Sequence, residues 1–370
     1  MAKSVTAITM NLWPNYNLPN GPLKLVLELE GKKVTGCRPI IGYIHRGLEK
    51  IAENRLYQQY LSVIGRVEPV SAFFFAQGFC SAVENIMKIE LPIRAQYIRV
   101  LTMELNRIAS HLAWLGIFMV NLGANSPVYY TFNEREKILS LFEQLTGSRM
   151  MHNYYIFGGV RHDISDDILK DTREFLEFFL KMMNEYDKTI TNNPLFQSRT
   201  TGVGIIDPEI ALDYAITGVN IRASGIELDF RKHMPYLVYG KLDFEIPTLL
   251  ESDSYSRYLL RMKEMRISAN LCFQAVDWLE NNKDKKINHG LVPTFANLDA
   301  GETMSYVETP RGLMICYLRS KGGEKPDRVK WRTASFFTVG LLPELLKGHL
   351  ISDVMTIFGS LDIALPEVDR

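Results

Sequence analysis

The chain has 370 residues, 46% hydrophobic and 23% charged, which is enough apolar material for one large folded domain or two and excludes a disordered polymer. Its 42 basic and 42 acidic residues cancel, so there is no electrostatic footprint for nucleic acid or for an anionic membrane surface. Cys37, Cys80, Cys272 and Cys316 are scattered without a C-x-x-C pair, so isolated buried thiols are expected rather than a zinc or iron–sulfur site, and no glycine-rich nucleotide cradle is present.

Met1 to Met10 carry one lysine and no apolar run of secretory length, so a cytosolic-type compartment is expected. Leu23, Leu25, Leu27 and Leu29 alternate along one side of an extended segment, Glu30-Gly31-Lys32 supplies a turn, and Lys33 to Cys37 returns; this predicts a β-hairpin. After Pro39 the pattern turns helical, with Leu48, Ile51, Leu56 and Tyr60 spaced through Arg46 to Ile64.

The strongest helical signal runs from Ala95 to Leu115, where Ile98, Leu101, Leu105, Ile108, Leu112 and Leu115 line one face. Glu104, Arg107 and His111 share the other side and are expected to form a salt-bridged face against neighbouring elements. His111 to Gly123, the most apolar stretch, is shorter than the ~20 residues of a membrane span and reads as a buried helix.

Further helices are predicted at Asn133 to Thr146, Asp166 to Lys188, Pro208 to Ile216 and Ser254 to Asn281, followed by a polar surface loop from Asn282 to Leu298. Met304 to Val307 and Leu313 to Leu318 flank the turn Thr309-Pro310-Arg311-Gly312, and Arg328 to Trp331 adds an extended piece before a last helix near Leu341 to Leu346. The expected fold is α+β: a β-hairpin over 1–40, a central helix bundle over 41–300, and a β element with a last helix over 301–370.

Several phrases fall in order along the chain. They include Ile41-Gly42-Tyr43-Ile44-His45-Arg46-Gly47, Glu104-Leu105-Asn106-Arg107, Asn133-Glu134-Arg135-Glu136, Gly158-Gly159-Val160, and Gly359-Ser360-Leu361-Asp362 through Glu367-Val368-Asp369-Arg370. Together they resemble the 49-kDa (D/H) subunit of respiratory complex I and its photosynthetic counterpart, from about Trp13 to Arg370. That family is related to the large subunit of membrane-bound [NiFe] hydrogenases, and the resemblance implies the same α+β framework.

The hydrogenase metal is held by two cysteine pairs, because a soft redox metal needs soft ligands. The resemblance maps the first pair onto Glu68 and Ser71 and the second onto Ala364 and Glu367, none of which is a thiolate. No metal is therefore expected on this chain.

In complex I the vacated chamber lies at the end of the quinone tunnel, beside the terminal iron–sulfur cluster of a small partner subunit. The family supplies a histidine oriented by an aspartate, and a tyrosine, as proton donors to the head group. At the matching positions this sequence has Asn20, Asn121 and Pro69. Two amides where a paired histidine and aspartate are expected look like one coordinated change, and neither delivers a proton at neutral pH.

Three explanations stay open: an acceptor other than a ubiquinone-type head group, protons arriving through water or from Tyr16, His45 or Glu68, or a vestigial cavity in a structural subunit. A buried Glu68 is expected to have a raised pKa. Tyr16, Asn20, His45, Glu68, Pro69 and Asn121 are the candidate acceptor cavity, and Arg66 and His152 the candidate residues facing the partner's cluster.

The resemblance thus implies a subunit of a complex I-like NAD(P)H or ferredoxin:quinone oxidoreductase with no cofactor of its own. Its expected partners are the small iron–sulfur subunit, other peripheral-arm subunits and membrane-arm subunits, on the cytoplasmic, matrix or stromal side of a membrane. The alternatives are a non-catalytic scaffold and a hydrogenase-derived complex with a different acceptor.

Overall fold

The computed structural model describes residues 6–11, 21–290 and 296–370. Strands β1 (Thr6–Asn11), β2 (Lys24–Glu30) and β3 (Lys33–Ile40) form an antiparallel sheet in that order. The predicted hairpin is β2–β3, and β1 adds the third strand. Leu25, Leu27 and Leu29 point inward as the alternation requires, with a bulge at Glu28/Leu29.

The helix expected over Arg46 to Ile64 is instead two, α1 (Leu48–Ala52) and α2 (Tyr57–Ile64). Leu56 turns extended between them, and its N–H is taken by the Gln59 side chain at 3.2 Å, a local stop the apolar spacing does not reveal. Next come α3 (Ala72–Met87), α4 (Ile93–Asn121) and α5 (Ser126–Thr146). Helix α3 escapes periodicity because it is buried nearly all round, with Phe73, Phe74, Phe75 and Phe79 packed between α4 and the second sheet. Helix α4 is longer than its pattern suggests and is the axis of the molecule, buried along almost its whole length.

After the short ribbon β4 (Tyr155–Ile156) and β5 (Gly159–Val160) come α6 (Asp166–Tyr186), α7 (Pro194–Thr200), α8 (Pro208–Asp213), α9 (Val219–Arg222), α10 (Phe230–His233) and α11 (Ser254–Glu280). Pro208 starts its helix as predicted, with Asp207 accepting from the Glu209 N–H. The polar segment after α11 does more than cover the surface: Ile287 and His289 hydrogen-bond to Val160 and Gly158, extending the ribbon by backbone pairing.

The chain ends with an antiparallel sheet, β6 (Leu298–Thr309), β7 (Gly312–Gly323) and β8 (Arg328–Arg332), then α12 (Ala334–Leu345), α13 (Val354–Leu361) and α14 (Leu365–Asp369). The fold is α+β, mostly helical, with antiparallel sheets near both ends. One core joins α2–α6, α11 and the second sheet; another packs the leucines of β2 against Leu341, Leu342, Ile357, Leu361 and Leu365 of α12–α14. The two ends of the chain are thereby held together, which places segments 66–71 and 362–370 side by side. Cys80, Cys272 and Cys316 are buried free thiols; Cys37 departs from expectation in being only half-buried.

Among the described residues no helix is long and apolar enough to cross a membrane.

Candidate functional site

Glu68 caps a single 3-10 turn at Pro69–Ser71, and its Oε1 accepts the Val70 N–H at 3.1 Å. Asn106 of α4 holds the turn from behind through the Val70 carbonyl at 2.8 Å. Both carboxyl oxygens of Glu68 are inaccessible to solvent, and Oε2 has no hydrogen-bond partner. Burial pushes its pKa up to about 7, with Arg311 opposing the rise and Glu367 adding to it.

Arg311 comes from the β6–β7 turn, which is closed by Thr309 Oγ1 donating to the Gly312 carbonyl at 2.9 Å. Gly312 has φ +129°, and its Cα approaches the backbone of Thr217 and Gly218 so closely that no side chain fits. The guanidinium so aimed donates from Nη1 to Ser71 Oγ at 3.0 Å, from Nε to the Asp362 carbonyl at 3.1 Å and from Nη2 to Asp362 Oδ1 at 3.4 Å. Burial works against its charge, yet Asp362, Glu68 and Glu367 together hold its pKa above the ordinary arginine value.

The C-terminal wall is built the same way. Asp362 ends α13 in the left-handed region, at φ 54°, which swings its carboxylate toward Arg311. Ser335 at the start of α12 takes the Ala364 N–H on its hydroxyl at 3.0 Å and gives its own N–H to Glu367 Oε1 at 2.8 Å. Burial raises the Glu367 pKa. Of the four positions equated with metal ligands, Glu68, Ser71 and Glu367 therefore lie around one buried guanidinium, and Ala364 is anchored through its N–H to Ser335. Two carboxyls and a hydroxyl around a fixed cation, with a methyl as the fourth side chain, do not fit a nickel–iron centre. Among the described residues no group of three or more His, Cys, Asp and Glu is placed to hold a metal ion.

The remaining candidates divide. Pro69 is the partly exposed first residue of the 3-10 turn. Asn121 ends α4 beside Gly359 of α13, one turn ahead of Asp362. His45 is exposed, and its Nδ1 donates to the Asp369 carbonyl at 2.6 Å, which leaves Nε2 the acceptor in the neutral ring. Tyr16 and Asn20 lie outside the described residues.

Arg46 is not paired with Glu49. Its guanidinium binds the carbonyls of Arg66, of Val67 at 3.4 Å and of Pro366 at 2.9 Å, so it clasps both walls at their rim. Glu49 instead receives Arg370, Lys330 and the Trp331 N–H.

Arg66 is exposed at the end of the turn after α2. Gly65 packs directly on the backbone of Met151, which brings together the segments that carry Arg66, exposed, and His152, buried. His152 stacks on Phe73 with ring centroids 4.3 Å apart and donates from Nδ1 to the Ser148 carbonyl at 3.0 Å. Burial pushes its pKa down to about 4, so the ring is neutral.

Two groups were not legible from the residues alone. Arg311 and Asp362 are one. In the other, Glu104, Arg107, Arg222, Asp229, Arg231, Glu264 and Glu308 form a wholly buried ion network. Its first two members were expected to be salt-bridged against neighbouring elements, and they are; the others come from α9, α10, α11 and β6. The available signals were Asp362 inside a family phrase and charged residues on otherwise apolar helix faces.

The family model described as respiratory-chain NADH dehydrogenase, 49 Kd subunit, matches residues 121–370. The chain is similar to the D-type subunit of NADH-quinone oxidoreductase from Desulfotalea psychrophila, 42% identical over 365 residues, covering 98% of this chain and 96% of that protein. The D-type counterpart from Geobacillus kaustophilus is 40% identical over 97% of each chain, and the chloroplastic H-type subunit of NAD(P)H-quinone oxidoreductase from Chaetosphaeridium globosum is 39% identical over the full length of both. With a family match over more than half its length and relatives similar from end to end, the chain belongs to the family of the 49-kDa subunit of respiratory-chain NADH dehydrogenase.

Proposed function

We propose that the chain is the acceptor-cavity subunit of an NAD(P)H- or ferredoxin-driven quinone oxidoreductase, working only within the multisubunit enzyme. It holds no cofactor itself. Its relatives' names describe NADH- or NAD(P)H-quinone oxidoreductase, and the observation that carries the reading to this chain is the convergence of Glu68, Ser71 and Glu367 on Arg311.

In this reading Arg66 and His152 would face the small partner subunit's iron–sulfur cluster, which would supply the electrons. The chain's own residues exclude water, hold the acceptor and manage protons. Reducing a quinone to hydroquinone takes two electrons and two protons, and the absence of the family's histidine, aspartate and tyrosine at Asn20, Asn121 and Pro69 moves the proton supply elsewhere. Other peripheral-arm and membrane-arm subunits complete the assembly on the cytoplasmic, matrix or stromal face of the membrane.

Pro69 favours one competing reading, a scaffold that only clamps its neighbours, because a pyrrolidine ring offers no proton. Inhibitor-sensitive quinone reduction by the purified assembly separates the two. Activity that falls on substituting Glu68 or Arg66 supports the cavity reading; an assembly with its clusters intact but no quinone reduction overturns it in favour of the scaffold. Stoichiometric nickel in the same preparation points to the hydrogenase-derived alternative.

A further inference from the structure

The missing proton donors leave a question that the buried charges answer. Three carboxyls, Glu68, Asp362 and Glu367, are buried around Arg311. The Arg311 fork spends Nη1 on Ser71 and both Nε and Nη2 on Asp362. Glu367 has the Ser335 N–H. Glu68 has only the Val70 N–H on one oxygen, and its other oxygen is bare; Asp362 Oδ2 is bare too, but its Oδ1 accepts the charged Arg311 Nη2. A fully buried carboxylate with an unpartnered oxygen costs several kcal/mol, and protonation removes that cost.

We propose that Glu68 is the proton store of the acceptor cavity and that Arg311 is its positioning residue. The inference rests on the quinone-reductase reading above. At rest Glu68 carries a proton. When the acceptor receives two electrons from the partner subunit's reduced cluster, the Glu68 O–H bond breaks and, through intervening water, an O–H bond forms on the acceptor. The second proton comes from solvent, and solvent later reprotonates Glu68, so that quinone, two electrons and two protons give hydroquinone.

The surroundings suit both states of the carboxyl. Arg311 from the β6–β7 turn and Arg46 from the loop before α1 both act on its charge and stabilise the carboxylate once the proton has left. Glu367 from α14 and Asp362 from the end of α13 oppose that charge and return the proton. His45, the other described candidate, does not fill this role: it is exposed to solvent, and its Nδ1–H is committed to the Asp369 carbonyl.

The test is redox-difference infrared spectroscopy on the intact membrane assembly labelled with isotopic glutamate, with turnover measured in parallel for wild type, Glu68→Gln, Glu68→Asp and Arg311→Lys. Acceptor reduction is expected to bleach a protonated-carboxyl C=O band that shifts with the label, disappears in Glu68→Gln and moves in Glu68→Asp and Arg311→Lys. Turnover of Glu68→Gln is expected to fall about 100-fold with little change in KM for quinone, and Glu68→Asp to recover much of it at a shifted pH optimum. The spectrum of the partner's cluster reports whether each variant assembles; if Glu68→Gln does not, the labelled wild-type band and Glu68→Asp decide. Quinone reduction with a band and turnover indifferent to position 68 overturns the inference alone. A wild-type assembly that reduces no quinone overturns the reading beneath it.

Discussion

His111 Nε2 lies 2.7 Å from Glu264 Oε2, and neither side chain is open to solvent. Burial lowers the His111 pKa against the pull of Glu264, so a neutral imidazole donates to a carboxylate. The other oxygen of Glu264 accepts Arg222 Nη2 at 2.8 Å and Arg231 Nη2 at 3.1 Å. A single carboxylate on α11 thus ties α4, α9 and α10 into one buried network.

Replacing Glu264 by Gln keeps the shape and removes the charge that Arg222, Arg231 and Arg107 face. Breaking a buried pair from one side costs about 3 to 5 kcal/mol. We expect Glu264→Gln to lower the melting temperature of the purified assembly sharply, or to prevent incorporation of the subunit. Burial alone would raise the Glu264 pKa, but Arg222 and Arg107 hold it well below the usual carboxylate range. Its contribution is therefore present above the unfolded carboxylate pKa and lost only as pH falls through the depressed folded value. A variant melting like wild type at neutral pH would show that the network contributes nothing to stability.

Glu68 has the opposite sign. Its pKa rises from about 4.3 in an unfolded chain to about 7 when folded. The folded state then binds the extra proton, so the stabilisation is complete below the unfolded pKa and is lost as pH rises through 7. The loss amounts to about 4 kcal/mol. Glu68→Gln cannot ionise, so it should melt close to wild type at acid pH and above it at about pH 8. Parallel melting curves across that window would count against a protonated Glu68.

The elements that were legible are those with two chemically different faces. The alternating leucines of β2 announce a period because the other side is wetter, and the three- and four-residue steps of α4 do so because its other side, although buried, carries Glu104, Arg107 and His111. Helix α3 carries no period, since Phe73, Phe74 and Phe75 are buried in succession on different sides. The site was legible only in part for a related reason. Glu68, Ser71, Ala364 and Glu367 could be paired through family phrases, but Thr309-Pro310-Arg311-Gly312 reads as an ordinary exposed turn. Nothing local says that this turn is pressed against Thr217 and Gly218 and sends its arginine inward. Asp362 is hidden likewise, because its role depends on a left-handed helix end that its neighbours impose.

His152 offers a pH test with a readout away from Glu68. Its ring moves from a pKa of about 6.5 in an unfolded chain to about 4 on burial against Phe73. The folded state refuses a proton that the unfolded chain accepts. Stability from this residue is intact above about pH 6.5 and declines as pH falls toward the folded value, by about 3 kcal/mol in total. His152→Gln should flatten that acid slope and leave neutral-pH melting less affected. A protein titration that places the His152 pKa at or above the ordinary imidazole value would rule out the buried neutral ring.

Gly359 tests whether the two walls must meet at their present spacing. Trp114 Nε1 donates to its carbonyl at 2.7 Å, and a Cβ there would stand 2.7 Å from the Phe118 ring and 3.0 Å from Asn121 Nδ2. Phe118 is itself stacked on Trp114, so it cannot swing aside without unpacking α4. Gly359→Ala should push α13 outward, carrying Asp362 away from Arg311, at an overpacking cost of about 1 to 3 kcal/mol. The expected result is a lower melting temperature together with a raised KM for quinone, since Asp362 moves away from both Asn121 and Arg311. Gly340→Ala in α12 is the control, because a Cβ there meets nothing within 4 Å. With helix propensity the only change, that variant should be neutral or gain about 0.5 to 1 kcal/mol. Equal behaviour of the two alanine variants would mean that the contact between α4 and α13 does not set the geometry of the cavity.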